Sequence, residues 1–93
     1  MSIVVRHHLT NLTMEDYEEV VRREESADFE FPPNGRDYHV CFGTDGDLHV
    51  SEVWDSRAHF EAYGPLLMPI LEEVGIQFSG ESEVFEVQST FKR

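Results

Sequence analysis

The chain has 93 residues, enough for one domain with a modest core. Its formal net charge of −12, with only seven lysines and arginines, excludes a nucleic-acid or anionic-membrane binder held by phosphate contacts and leaves a solvated acidic surface. A single cysteine, Cys41, excludes an intrachain disulfide; with no apolar run of about 18 residues and no charged-then-apolar leader pattern, a cytoplasmic protein is expected.

Ile3 to Leu9 is apolar and β-branched at its start and predicts a strand. Alternation sends His7 and His8 to opposite faces, one toward the interior and one toward solvent or a subunit seam, with Arg6 on the His8 side. Thr13 is a suitable N-cap, Asp16 resembles the distal acid of a capping box, and Leu12 can staple onto Tyr17. Asn11-Leu12-Thr13 also spells a glycosylation sequon, for which capping is the preferred explanation. A helix follows from Met14 to about Ser26, with Met14, Tyr17, Val20 and Val21 as its apolar stripe. Glu18 with Arg22 and Glu19 with Arg23 are spaced for ion pairs on its solvent face. Ala27 to Arg36 is a loop, because Pro32-Pro33 excludes regular pairing and Asn34-Gly35 marks a turn. Its Phe29 and Phe31 are read as a cover over the core in preference to a lid over a pocket.

Asp37 to Trp54 predicts a β-hairpin about Asp45-Gly46, a pair that suits a turn with both residues at positive φ. That turn sets Thr44 opposite Asp47, Cys41 opposite Val50, His39 opposite Glu52 and Asp37 opposite Trp54. His39, Cys41, Val50, Glu52 and Trp54 then share one face, which combines apolar bulk with an imidazole and a carboxylate as a pocket wall does. Tyr38, Val40, Phe42, His49, Ser51 and Val53 share the other, more uniformly apolar face.

Asp55 and Ser56 offer caps for a second helix that begins its apolar stripe at Phe60 and Tyr63. Gly64-Pro65 is expected to interrupt it, and Pro69 to kink or restart it, before Leu66, Leu67, Ile70, Leu71 and Val74 run out to a left-handed terminator at Gly75. Ile76 to Phe78 reads as a short extended piece, Ser79-Gly80 as a turn, and Glu83 to Ser89 as the last strand. The order β-α-β-β-α-β is the split βαβ, ferredoxin-like α+β arrangement. Two helices cover one face of a four-stranded antiparallel sheet, so the other apolar face calls for a second copy about a two-fold axis: a homodimer is expected.

The run from His39 to Trp54, Trp54-Asp55-Ser56 followed by Phe60, Leu67, Pro69 and Gly75 in the second helix region, and the closing strand around Phe85 and Val87 resemble the dimeric α+β barrel superfamily. Within it the chain is similar to small proteins of the antibiotic biosynthesis monooxygenase family. The resemblance implies two ferredoxin-like subunits whose sheets join into a barrel, with a pocket between each sheet and its helices. It also implies a cofactor-independent, monooxygenase-like oxidoreductase as one possible activity, on a small aromatic or polyketide-like compound. His39, Glu52 and Trp54 look like positions this subgroup keeps in its hairpin.

From the residues themselves, His39 and Glu52 are the candidate catalytic pair, because a carboxylate beside an imidazole fixes its tautomer and supports a general base. The plain alternative is a buried pair that only satisfies itself. Trp54, Tyr17, Phe60 and Cys41 are the candidate substrate-binding wall. A mixed His39, Cys41, Glu52 metal set lacks a paired motif, so Cys41 reads first as a small core thiol and no metal is expected. His59 reads as an exposed residue early in the second helix, and neither it nor His39 is singled out as a haem ligand. There is no GxGxxG, Walker A or GxSxG pattern, and no cofactor is expected. The competing reading is a non-catalytic dimeric module that binds a ligand or only stabilises a partner.

Overall fold

A computed structural model describes all of residues 1–93. The elements are β1 (Ile3–His8), α1 (Met14–Glu25), β2 (Arg36–Thr44), β3 (Asp47–Trp54), α2 (Arg57–Val74) and β4 (Glu83–Glu86). The strands form one antiparallel sheet in the order β2-β3-β1-β4, which is the ferredoxin-like α+β topology expected from the element order. No helix is long and apolar enough to cross a membrane.

The hairpin register holds from the turn to its middle: Thr44 pairs with Asp47, Cys41 with Val50 and His39 with Glu52. It then slips by one. A bulge between Arg36 and Tyr38 leaves Asp37 unpaired and sets Arg36, not Asp37, opposite Trp54. A bulge inserts one residue against none on the partner strand, so every side chain before it changes partner. The turn also differs from expectation. Positive φ falls on Gly43 (112°) and Gly46 (91°), while Asn11 (52°) is the sole non-glycine residue there, so Asp45 keeps a negative φ. Asp45 instead turns its carboxylate to the start of α1, accepting the Met14 N–H at 2.8 Å. The N–H groups of Gly46 and Leu48 both donate to the Leu12 carbonyl, at 3.0 and 3.4 Å. The hairpin tip is thereby fastened to the first helix.

Thr13 caps α1 as expected, its hydroxyl accepting the Asp16 N–H at 3.1 Å. Leu12 is buried and Tyr17 packs against its cluster, which completes the staple. The stripe of α1 is Tyr17, Val20 and, one turn on, a buried Glu24; Met14 is exposed. Of the two surface pairs anticipated, Glu19 with Arg23 forms at 2.8 Å, whereas Arg22 turns to Glu19 (2.7 Å) instead of Glu18; Arg23 also reaches Glu73 on α2 at 2.8 Å. Phe29 packs edge-on against Tyr63, with ring centroids 5.7 Å apart, as a core cover should.

The second helix runs without a break, contrary to the expected interruption at Gly64-Pro65. Gly64 has no Cβ to meet the proline ring, which removes part of the clash that disfavours helix before proline. Pro65 and Pro69 lie one turn apart on the exposed side. The carbonyls they leave without N–H donors are therefore on the side where water can reach them. Ser56 caps the helix and Gly75 ends it at φ 90°. The last strand stops at Glu86, short of the expected Ser89, with one further bond from the Val87 N–H to the Ser2 carbonyl.

Both helices lie on the face of the sheet that carries Ile3, Val5, Leu48, Val50, Glu52 and Trp54, all buried. The core divides into two clusters: Ile3, Val5, Trp54 and Tyr63 at one end, and Leu9, Leu12, Leu48 and Val50 at the other. The space between them is not filled by side chains, and it is there that the polar groups gather.

Candidate functional site

Between the sheet and the helices lies a partly open cavity of about 220 Å³. For comparison, an engineered apolar cavity of about 150 Å³ is enough to hold benzene. Its walls are mostly apolar, from Leu9, Val50, Trp54, Phe60, Leu67 and Leu71 among others. Into this apolar space the alternation of β1, β2 and β3 sends His7, His39 and Glu52, and the inner stripe of α1 sends Tyr17 and Glu24.

These groups form a connected chain. The Tyr17 hydroxyl lies 2.6 Å from His39 Nε2, and His39 Nδ1 lies 2.6 Å from Glu52 Oε2. The carboxylate side fixes the tautomer: Nδ1–H faces Glu52, so Nε2 is left to accept the Tyr17 proton. Glu52 is 6 % exposed and has two further donors. Arg36 donates to the same Oε2 at 3.1 Å, and Trp54 Nε1–H donates to Oε1 at 3.0 Å. His7 stands 3.9 Å from Oε1 and hydrogen-bonds Ser82 on its other ring nitrogen. A second pair closes the far side, where the Tyr63 hydroxyl donates to Glu24.

The two buried carboxyls are pushed in opposite directions. Burial works against the Glu52 anion, but the bonds and charges of His39, Trp54 and Arg36 outweigh it and hold the carboxyl below the usual range. Burial raises Glu24, and its bond from Tyr63 only partly offsets that. Divergence of this kind is the common signature of a site with separate acid and base roles. Burial pushes the Tyr17 hydroxyl up to about 12, so it stays protonated and is held as a donor. Burial lowers His7, which therefore favours the neutral imidazole.

Of the residues expected to form the site, His39, Glu52, Trp54, Tyr17 and Phe60 all line this cavity. Cys41 does not. It packs against the Leu9, Leu12, Leu48 and Val50 cluster, and burial raises its thiol. The reason is position: Cys41 lies two residues nearer the hairpin turn than His39, at the end already filled by leucines. His59 is half-buried rather than exposed; its ring bonds Ser56 and lies against Gly35, away from the cavity. Four polar participants were missed from the sequence, among them Ser82, which bonds His7 at the cavity wall. Arg36 arrives through the bulge. Glu24 sits at i+7 from Tyr17, which was the available signal. Tyr63 was read only as apolar bulk.

The sequence matches no family model and no curated protein. Solved structures do match in shape. SnoaB, a cofactor-independent oxygenase from Streptomyces nogalater, superposes with a TM-score of 0.68 over 99% of this chain and 98% of its own, at 16% identity. MupZ from Pseudomonas fluorescens gives a TM-score of 0.67 over 99% of this chain and 94% of its own, at 12% identity. A putative antibiotic biosynthesis monooxygenase from Deinococcus radiodurans gives 0.60 over 100% and 98%, at 11% identity. At such identities the likeness speaks for the fold and not for the reaction. From end to end, the chain has the fold of the antibiotic biosynthesis monooxygenase-like proteins.

Proposed function

We propose that the cavity takes a small aromatic or polyketide-like compound with an acidic hydroxyl or activated CH₂, and that His39 is the base that deprotonates it. The observation that carries this reading is the Tyr17–His39–Glu52 chain opening onto an apolar space larger than its own side chains need. Glu52 is the buried anion that orients the imidazole and stabilises it when it gains a proton. Tyr17, whose own proton points to Nε2, accepts the hydrogen bond of the substrate hydroxyl and passes that proton on to the imidazole. Trp54 and Phe60, with ring centroids 5.9 Å apart, form the aromatic wall.

The reaction is an oxygenation with dioxygen as the only oxidant. The base takes a proton from the CH₂ carbon, leaving a carbanion spread into the rings. The carbanion gives one electron to dioxygen, and the two radicals join as a carbon-bound peroxide anion. That anion takes the proton from His39. Loss of water then breaks the O–O bond and leaves a carbonyl, so R₂CH₂ and O₂ become R₂C=O and H₂O. The shared fold with SnoaB supports this direction. A hydroxylated anthrone is a suitable probe, with oxygen uptake as the readout. His39→Ala and Tyr17→Phe should each lower the rate by at least about 100-fold, the contribution usual for a positioned base. A wild-type rate equal to that of buffer refutes the proposal.

We further propose that two copies pair through the open sheet face. Tyr38, Phe42 and Phe85 stand on that face with 56%, 42% and 51% of their surface exposed. A monomer of this mass exposes about 5,500 Å²; this chain exposes 6268 Å². Sedimentation at micromolar concentration should give a dimer, and a stable monomer overturns it.

One observation favours a purely structural reading of the polar chain. No buried side-chain nitrogen or oxygen lacks a partner, as in a network that only satisfies itself. Under that reading His39→Ala lowers the melting temperature and leaves probe binding unchanged.

A further inference from the structure

On the opposite face of the sheet, β1 and β3 bring three potential metal ligands to one spot. His8 pairs directly with His49 across the ladder, and Asp47 precedes His49 by two residues, so all three side chains leave the same face. The imidazole rings of His8 and His49 are parallel to within 3°, with centroids 4.2 Å apart. Asp47 Oδ1 lies 3.0 Å from His8 Nε2. One ligand atom from each residue falls within 4.8 Å of the others. We propose that His8, Asp47 and His49 form a binding site for a divalent transition metal of the Zn²⁺ type, separate from the cavity on the helix side.

The donor set and the spacing both fit. Two imidazoles with one carboxylate favour Zn²⁺, Ni²⁺ or Cu²⁺ over Mg²⁺ or Ca²⁺, which prefer oxygen donors throughout. Bonds of about 2.0–2.1 Å in a tetrahedron set donors roughly 3.4 Å apart, and His8 with Asp47 is already there. Each imidazole donates through a lone pair in its own ring plane, so the two rings, stacked in parallel planes, must turn out of the stack to share one ion; the remaining closure, at most about 1.5 Å, is that rotation, made by exposed His8 and half-buried His49. The backbone supplies the rest, since a central pair of strands holds the three Cα positions in register. A depression lined by His8, Phe42, His49, Glu81 and Glu83 adjoins the site and supplies carboxylates for a fourth oxygen ligand; it shares the open sheet face with the proposed subunit seam, so the titration is read beside sedimentation of the same sample. Arg6, the one cation in the depression, lies 4.0 Å from Glu83, so its charge is partly offset.

The test is titration of the purified protein with ZnCl₂, read by calorimetry, beside Co²⁺ absorption in the visible to report coordination. The expected result is about one Zn²⁺ per chain, with affinity reduced at least about tenfold in each of His8→Ala, Asp47→Ala and His49→Ala. His59→Ala, on another surface, should bind as wild type, and Mg²⁺ should not compete. Circular dichroism of each variant separates a lost ligand from a lost fold, and Asp47→Asn repeats the test with the side-chain shape retained. Wild-type protein that takes up no Zn²⁺, or folded variants that bind it as wild type does, would overturn the proposal. The measurement is independent of the oxygenase reading and of any activity assay.

Discussion

Replacing Glu52 with glutamine tests whether the buried network is held by charge or by shape. The carboxylate receives three donors on two oxygens: His39 at 2.6 Å and Arg36 at 3.1 Å on Oε2, and Trp54 at 3.0 Å on Oε1. Glutamine keeps one oxygen and presents an NH₂ in place of the other. Whichever way the amide turns, at least one of these donors meets another donor. An unsatisfied buried polar group costs about 1–3 kcal/mol. The Arg36 side chain, 9% exposed, also loses its counter-charge. Breaking a buried ion pair from one side costs about 3–5 kcal/mol, and because the two effects share one site we take that range for the whole. For a domain of this size each kcal/mol moves the melting temperature by about 4–8 °C, so a fall of at least about 12 °C is expected. Urea unfolding at pH 7, followed by the fluorescence of Trp54, measures it directly. The sign of the pH dependence is fixed too. The folded carboxyl of Glu52 lies below its ordinary value of 4.5, so its stabilisation is complete above that pH and is lost as pH falls through the folded value. The gap between wild type and variant should therefore narrow in acid. A loss under about 1 kcal/mol at pH 7, or a gap that widens in acid, would refute the argument.

Glu24 should behave in the opposite sense. Its folded carboxyl lies above 4.5, so its favourable contribution is complete below that pH and is lost as pH rises through the folded value. Glu24→Gln keeps an acceptor for Tyr63, so it should gain on wild type between acid and neutral pH in urea midpoints; a relative loss over that interval contradicts the assignment. Gly35→Ala should destabilise by more than the about 1–2 kcal/mol of a left-handed alanine, because φ is 86° and an added Cβ would run into the His59 ring. Thermal unfolding measures that loss. His59→Ala in the same background should recover the part due to the clash, and no recovery would show that backbone conformation alone is responsible.

What was legible in the sequence depended on whether a local rule acted alone. Asp45-Gly46 placed the turn, and from it the pairing of His39 with Glu52 followed at once. The alternation of His7 and His8 was legible for the same reason, since a strand has only two faces. The bulge at Asp37 was not, because an inserted residue leaves no mark in an alternating pattern that already ends in a loop. With it went Arg36, the counter-charge of Glu52. Glu24 was hidden by its type: a carboxylate on a helix reads as solvent-facing unless its place in the apolar stripe is given more weight. The break in α2 was overcalled because proline was considered apart from the glycine before it and the solvent beside it. The grouping of His8, Asp47 and His49 joins β1 to β3, strands that are far apart in sequence, so no local spacing could announce it.

The fastening of the hairpin tip to the first helix bears on where this polypeptide can be opened. A tight exposed reversal is the usual choice for a new terminus or an inserted reporter domain. Here a cut between Asp45 and Gly46 would release three bonds and free the start of α1, which carries Tyr17 into the cavity. At the junction of Gly80 and Glu81 both residues are exposed and open space surrounds the glycine; the nearest ties, from the Ser79 N–H to the His8 carbonyl and between Ser82 and His7, belong to the residues on either side. Circular permutants and tagged versions should be built there, and they should retain the fold that the more obvious site would lose.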